Sequence, residues 1–158
     1  MTGELFKQVT GIPMMHVPYK SAGQGLNSLL ANETQVSFLS PVTASAQLKS
    51  GKLKALLVSS AERFPGTPDV PGATESNIPG MDARLWFGLF APAKTPRPII
   101  QKIQQDVQEI LRRPEVMDAF LKQGIQASAS SPEQLEDFVK SEIRRWTPII
   151  KNANIKAD

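Results

Sequence analysis

Two short runs hold the residues best suited to chemistry: Tyr19-Lys20-Ser21-Ala22-Gly23 and Ser40-Pro41-Val42-Thr43. Each stands where an apolar run ends and a helical pattern begins. A helix start leaves its first backbone N–H groups without intrahelical acceptors and carries the positive end of the helix dipole, so it attracts anions. The small residues Ser21, Ala22 and Gly23 let a ligand approach that backbone closely. Ser21, Ser40 and Thr43 add hydroxyls, Pro41 suits the first helical position, and Lys20 adds a positive charge. Together these groups suit non-covalent capture of a small carboxylate. Spacing alone also describes two ordinary capped helices, which is the commoner outcome.

Covalent chemistry finds little support. There is one histidine and no cysteine, which removes thiolate chemistry, disulfides and Cys-ligated metals. His16 sits inside an apolar run, where a core or capping role is expected before a catalytic one. No nucleophile elbow, P-loop or GxGxxG is present, and Gly23-Gln24-Gly25 is a lone GxG. Metal ligation needs a His/Asp/Glu cluster that scattered carboxylates do not supply. Glu136 and Asp137 read as a solubilising pair on a polar helix face. The expectation is no enzyme, no cofactor and no metal.

The partner class is bounded the same way. Lys plus Arg number 18 and Asp plus Glu 15, a formal charge of +3. Lys122, Glu133, Glu136, Asp137, Lys140, Glu142, Arg144 and Arg145 alternate in sign, as on a solvated helix face. Aromatic residues make up 6%, too few for a base-stacking platform, so no nucleic acid is expected. The first nine residues carry Glu4 and Lys7 in an amphipathic pattern, which is not that of a signal peptide. As written, the chain is expected to stay in the cytoplasm.

The elements that must position these residues alternate. Residues 14–17 read as a buried strand, and 35–39 and 53–59 as two more. Helices fall between them. One ends at Gly11. One is capped by Ser21 with Gln24 at capping-box spacing. One is capped by Ser40 and stops at Gly51. Residues 61–82 form a long loop punctuated by Pro65, Pro68, Pro71 and Pro79, and 83–91 read as a further strand. Beyond a second proline-rich joint, Thr95 is expected to cap a helix starting at Pro96, and Pro114 to open another closed by Gly124. Ser131-Pro132-Glu133-Gln134 starts a helix expected to bury Leu135, Phe138, Val139, Ile143 and Trp146. The alternation indicates an α/β fold.

An ordered series of motifs resembles one family. Leu5-Phe6-Lys7-Gln8, Gly11-Ile12-Pro13 and His16-Val17-Pro18-Tyr19-Lys20 look like the solute receptors of tripartite tricarboxylate transporters, also called Bug proteins. So do Ser50-Gly51-Lys52-Leu53-Lys54-Ala55-Leu56, Pro68-Asp69-Val70-Pro71, Trp86-Phe87-Gly88-Leu89-Phe90-Ala91-Pro92 and Pro114-Glu115-Val116. The likeness covers essentially the whole chain, in order.

The resemblance implies a truncated fold of the type II periplasmic-binding-protein class. Residues 1–82 would be a ligand lobe incomplete at its N-terminus, 83–92 a hinge strand, and 93–158 a helical segment returning to an absent first lobe. In such receptors two lobes close on a carboxylate in the periplasm and deliver it to a membrane permease. One jaw would be Tyr19, Lys20, Ser21, Ala22 and Gly23, with Ser40, Pro41 and Thr43 beside it. The family usually has Gly after "YK", where this chain has Ser21. Without the first lobe's sheet, the apolar helix stripes would lack cover and the chain would self-associate. The rival reading is a receptor relic acting only through protein contacts.

Overall fold

A computed structural model describes residues 1–155. Six helices are present among them: α1 (Thr2–Thr10), α2 (Ala22–Leu30), α3 (Pro41–Lys49), α4 (Arg97–Leu111), α5 (Pro114–Lys122) and α6 (Pro132–Asn152). The chain divides into two compact units, Met1–Arg84 and Leu85–Asp158.

In the first unit the punctuation works as its residue types dictate. Gly11 ends α1 in the left-handed conformation at φ 69°, which glycine adopts without a Cβ penalty. Leu5 is buried, and Phe6 meets Phe38 at 5.7 Å between ring centroids. Ser21 and Ser40 cap α2 and α3, and Pro41 opens α3. α2 and α3 pack on each other.

The strands are where sequence and structure part. Residues 14–17, 35–39, 53–57 and 83–91 carry no regular secondary structure. The pairing among the described residues is a single parallel bridge between Val58 and Gly72. It is extended by Val58 N–H to the Pro71 carbonyl (2.9 Å) and Ala73 N–H to the Ser60 carbonyl (2.8 Å). A parallel sheet needs apolar cover on both faces. Here Met15, Val17, Val36, Phe38 and Leu56 are exposed instead. His16 is exposed too, in neither the core nor the capping role expected of it.

In the second unit α4 packs against both α5 and α6. The start of α4 falls one residue later than expected: Pro96 is the N-cap and no side chain bonds to it, so Thr95 does not cap. Ser131 forms the full capping box of α6 with Gln134. Gln104 reaches from α4 to the Ser130 carbonyl at 3.3 Å, and Arg97 pairs with Glu133 at 2.6 Å. Trp86 meets Phe138 edge to face, centroids 5.2 Å apart at 77°. The expected burial along α6 is only partly realised, because Phe138 and Ile143 are exposed and Ile149 is the residue that is buried.

The buried apolar side chains among the described residues are Leu5, Ala73, Met81 and Ile149, of which Met81 is fully buried. The accessible surface is 11780 Å². Two independently compact units of half the mass each would together expose about 9,400 Å². Large apolar side chains are exposed both along the expected strands, as at Leu56 and Leu85, and on the helices, as at Ile99 and Ile143.

Candidate anion site at two helix starts

The loop before α2 is fastened at three points. Ser21 Oγ accepts from Gln24 N–H at 3.3 Å, and Lys20 N–H donates to Gln24 Oε1 at 3.1 Å. The Tyr19 hydroxyl bonds to Ser28 Oγ, whose other side-chain partner is Thr34 Oγ1 at 3.4 Å. The first intrahelical-type bond runs from Gly25 N–H to the Ser21 carbonyl. Ala22 and Gly23 N–H therefore keep no acceptor among the described residues, and both residues are exposed. The Lys20 side chain forms no ion pair among the described residues. An exposed cation thus stands close in sequence to two open N–H donors at the positive end of a helix dipole.

The start of α3 is similar but more self-satisfied. Ser40 Oγ accepts from Thr43 N–H at 3.4 Å and lies 2.8 Å from Thr43 Oγ1. The Ser40 carbonyl accepts from Thr43 and Ala44 N–H. Pro41 has no N–H to offer, so Val42 N–H is the open donor of this turn. The two hydroxyls expected to face a ligand are bonded to each other. Both starts hold the local form the residue types dictate, and no sheet edge aligns them.

The residue sequence reasoning missed is Ser28. It is 3% exposed, the one buried polar side chain among the described residues. Its signal was present: residues 21, 24, 25 and 28 fall on one face of α2 at helical spacing. No group of three or more potential metal-ligating side chains occurs among the described residues. No helix among them is long and apolar enough to cross a membrane.

Comparison with known proteins adds the family. The description "Tripartite tricarboxylate transporter family receptor" matches residues 1–155. Protein BugT of Bordetella pertussis is 30% identical over 153 residues, 97% of this chain and 47% of that protein. A Rhodopseudomonas palustris protein, Rpa4515 solved with adipate, superposes with a TM-score of 0.80 at 27% identity, covering 97% of this chain and 51% of that one. MatC of the same species, solved with bound malate, superposes with a TM-score of 0.68 at 33% identity, covering 94% of this chain and 52% of that one. The chain spans about half the length of these relatives. Its fold is the α/β class of type II periplasmic binding proteins, represented here by a helix-rich portion.

Proposed function

The chain belongs to the tripartite tricarboxylate transporter receptor family, and from that premise we propose that it supplies one jaw of a periplasmic receptor for a small carboxylate. The jaw is Tyr19, Lys20, Ser21, Ala22 and Gly23 at the start of α2, with Ser40, Pro41 and Thr43 at the start of α3 beside it. Residues 1–82 act as the ligand lobe, 83–92 as the hinge, and 93–158 as the segment that joins the other lobe. The work is capture and delivery to a membrane permease, not catalysis.

The observation that carries this reading is the pair of N–H groups at Ala22 and Gly23 that, like the Lys20 side chain beside them, find no partner among the described residues. Relatives solved with adipate and with malate support the ligand class. One jaw leaves most of a dicarboxylate hydrated, so this chain alone binds weakly. Nuclear magnetic resonance titration with adipate, malate and a tricarboxylate tests it. The expected outcome is shifts confined to the amides of residues 20–23 and 42–44, saturating only in the millimolar range. No shift in those amides at the highest concentration would discard the reading.

A second reading rests on a separate observation. Leu85, Phe87, Leu89 and Phe90 are 79%, 75%, 68% and 66% exposed. An apolar run of this kind favours protein contact, including self-association of this chain.

A further inference from the structure

We propose that Ser28, backed by Thr34, is the positioning residue of the jaw: it holds the Tyr19 hydroxyl and so fixes loop 19–23 on α2. The inference deepens the carboxylate reading and rests on it.

Ser28 lies at a junction. Its side chain reaches back to Tyr19, ahead of the helix, and forward to Thr34, beyond it. Its backbone carbonyl accepts from Glu33 N–H at 3.0 Å and Thr34 N–H at 3.4 Å. One residue thus ties both ends of α2 together. A buried hydroxyl needs partners, and Ser28 finds them on these two segments.

The Tyr19 ring is also placed by Gly25. A Cβ there would stand 3.7 Å from Tyr19 Cδ2, ordinary contact distance, so the ring lies along nearly bare helix backbone. With Lys20 N–H on Gln24 and Ser21 Oγ beneath Gln24 N–H, every residue from 19 to 21 is fastened to the helix that follows. The phenol oxygen is engaged with Ser28 Oγ, which holds the Tyr19 ring as a wall of the jaw. An open depression of about 460 Å³ is lined by Tyr19, Gln24, Asn27, Ser28, Ala31 and Glu33. An acidic residue in that lining favours the open N–H groups of Ala22 and Gly23 as the anion's side. A loop ordered before binding loses less freedom when it binds.

Tyr19 is the only tyrosine, so its ring signals in the tyrosine-labelled full chain need no assignment. Ser28→Ala is expected to move them towards solvent-exposed values and to weaken adipate binding by roughly 3- to 10-fold. Tyr19→Phe should weaken it similarly, and the double variant no further, because both remove one coupled contact. Thr34→Val, which leaves Ser28 in place, should act in the same direction with a smaller effect and guards against misfolding of the first variant. Unchanged Tyr19 ring signals in Ser28→Ala, or effects of the two substitutions that multiply, would overturn the proposal. Adipate leaving the parent's loop amides unmoved, while Ser28→Ala still shifts the ring, supports the tether and discards the carboxylate reading.

Discussion

Arg63 clasps Glu75 across the proline-rich loop: Nε lies 2.9 and 3.0 Å from the two carboxylate oxygens and Nη2 2.6 Å from Oε2. Nη1 also donates to the Pro68 carbonyl at 2.6 Å, and Gly72 N–H donates to Glu75 Oε1 at 3.4 Å. One ion pair thus gathers Pro68 and Gly72 with its own two residues in a loop whose ladder contact is the Val58–Gly72 bridge. The bond from Arg63, with Gly72 N–H adding to it, holds the Glu75 carboxyl below its ordinary range.

A carboxyl with a depressed folded pKa contributes stability above its unfolded value and loses it as the pH falls through the folded one. The clasp is therefore intact at neutral pH and opens in acid, below the ordinary carboxylate range. Amide exchange of Ala73 and Thr74, whose N–H groups bond to Ser60 and Ala61, is the measurement. Corrected for intrinsic rates, exchange should accelerate in acid, and Glu75→Gln should show the acid behaviour at neutral pH. Identical protection in parent and variant would mean the loop is held otherwise.

The start of α6 offers a cleaner energetic test. Ser131 Oγ accepts from Gln134 N–H at 3.1 Å, and Ser131 N–H donates to Gln134 Oε1 at 2.8 Å. The Glu133 carboxyl is held low by its own backbone N–H, with Ser131 and then Arg97 adding to the effect. Ser131→Ala should cost about 1 kcal/mol, read by urea unfolding. Helicity should be lost from the first turn, because the Gln134 N–H then has no side-chain acceptor.

Near the other end of α6, Pro148 stands inside the helix. It has no N–H for the carbonyl four residues back, and its ring crowds that carbonyl. Pro148→Ala should raise the unfolding free energy by up to about 3 kcal/mol. An unchanged melting temperature would show that the helix already bends around it without cost.

Helix boundaries were legible because they are local. Gly11, Ser21, Ser40-Pro41, Pro114 and the Ser131 capping box each act within four residues of themselves, and each ends or starts a helix where its chemistry requires. The strands were legible as apolar runs but not as a sheet. Pairing is non-local, and apolar runs such as 14–17 and 53–57 state only that they need cover. Half of the candidate site followed the same division. Ser21 and Ser40 cap as expected, whereas the tether from Tyr19 to Ser28 spans nine residues and needs a folded helix to be seen.

The apolar segment before α4 leads to the last prediction, which concerns assembly. Leu85, Phe87 and Leu89 alternate at the spacing of one face of a strand, and all are exposed, as are Ile99, Ile103 and Phe138 of the same unit. Burying an apolar side chain is worth roughly 1.5–3 kcal/mol. Leaving several in water forfeits much of the ~5–15 kcal/mol that a domain has to spare. Light scattering of the purified chain should therefore give a mass well above the 17.3 kDa of one copy. Placing charges in the segment, Phe87→Asp with Leu89→Asp, should return it towards that mass and raise its solubility. A monodisperse monomer from the unaltered chain would mean that the segment finds its cover within one copy.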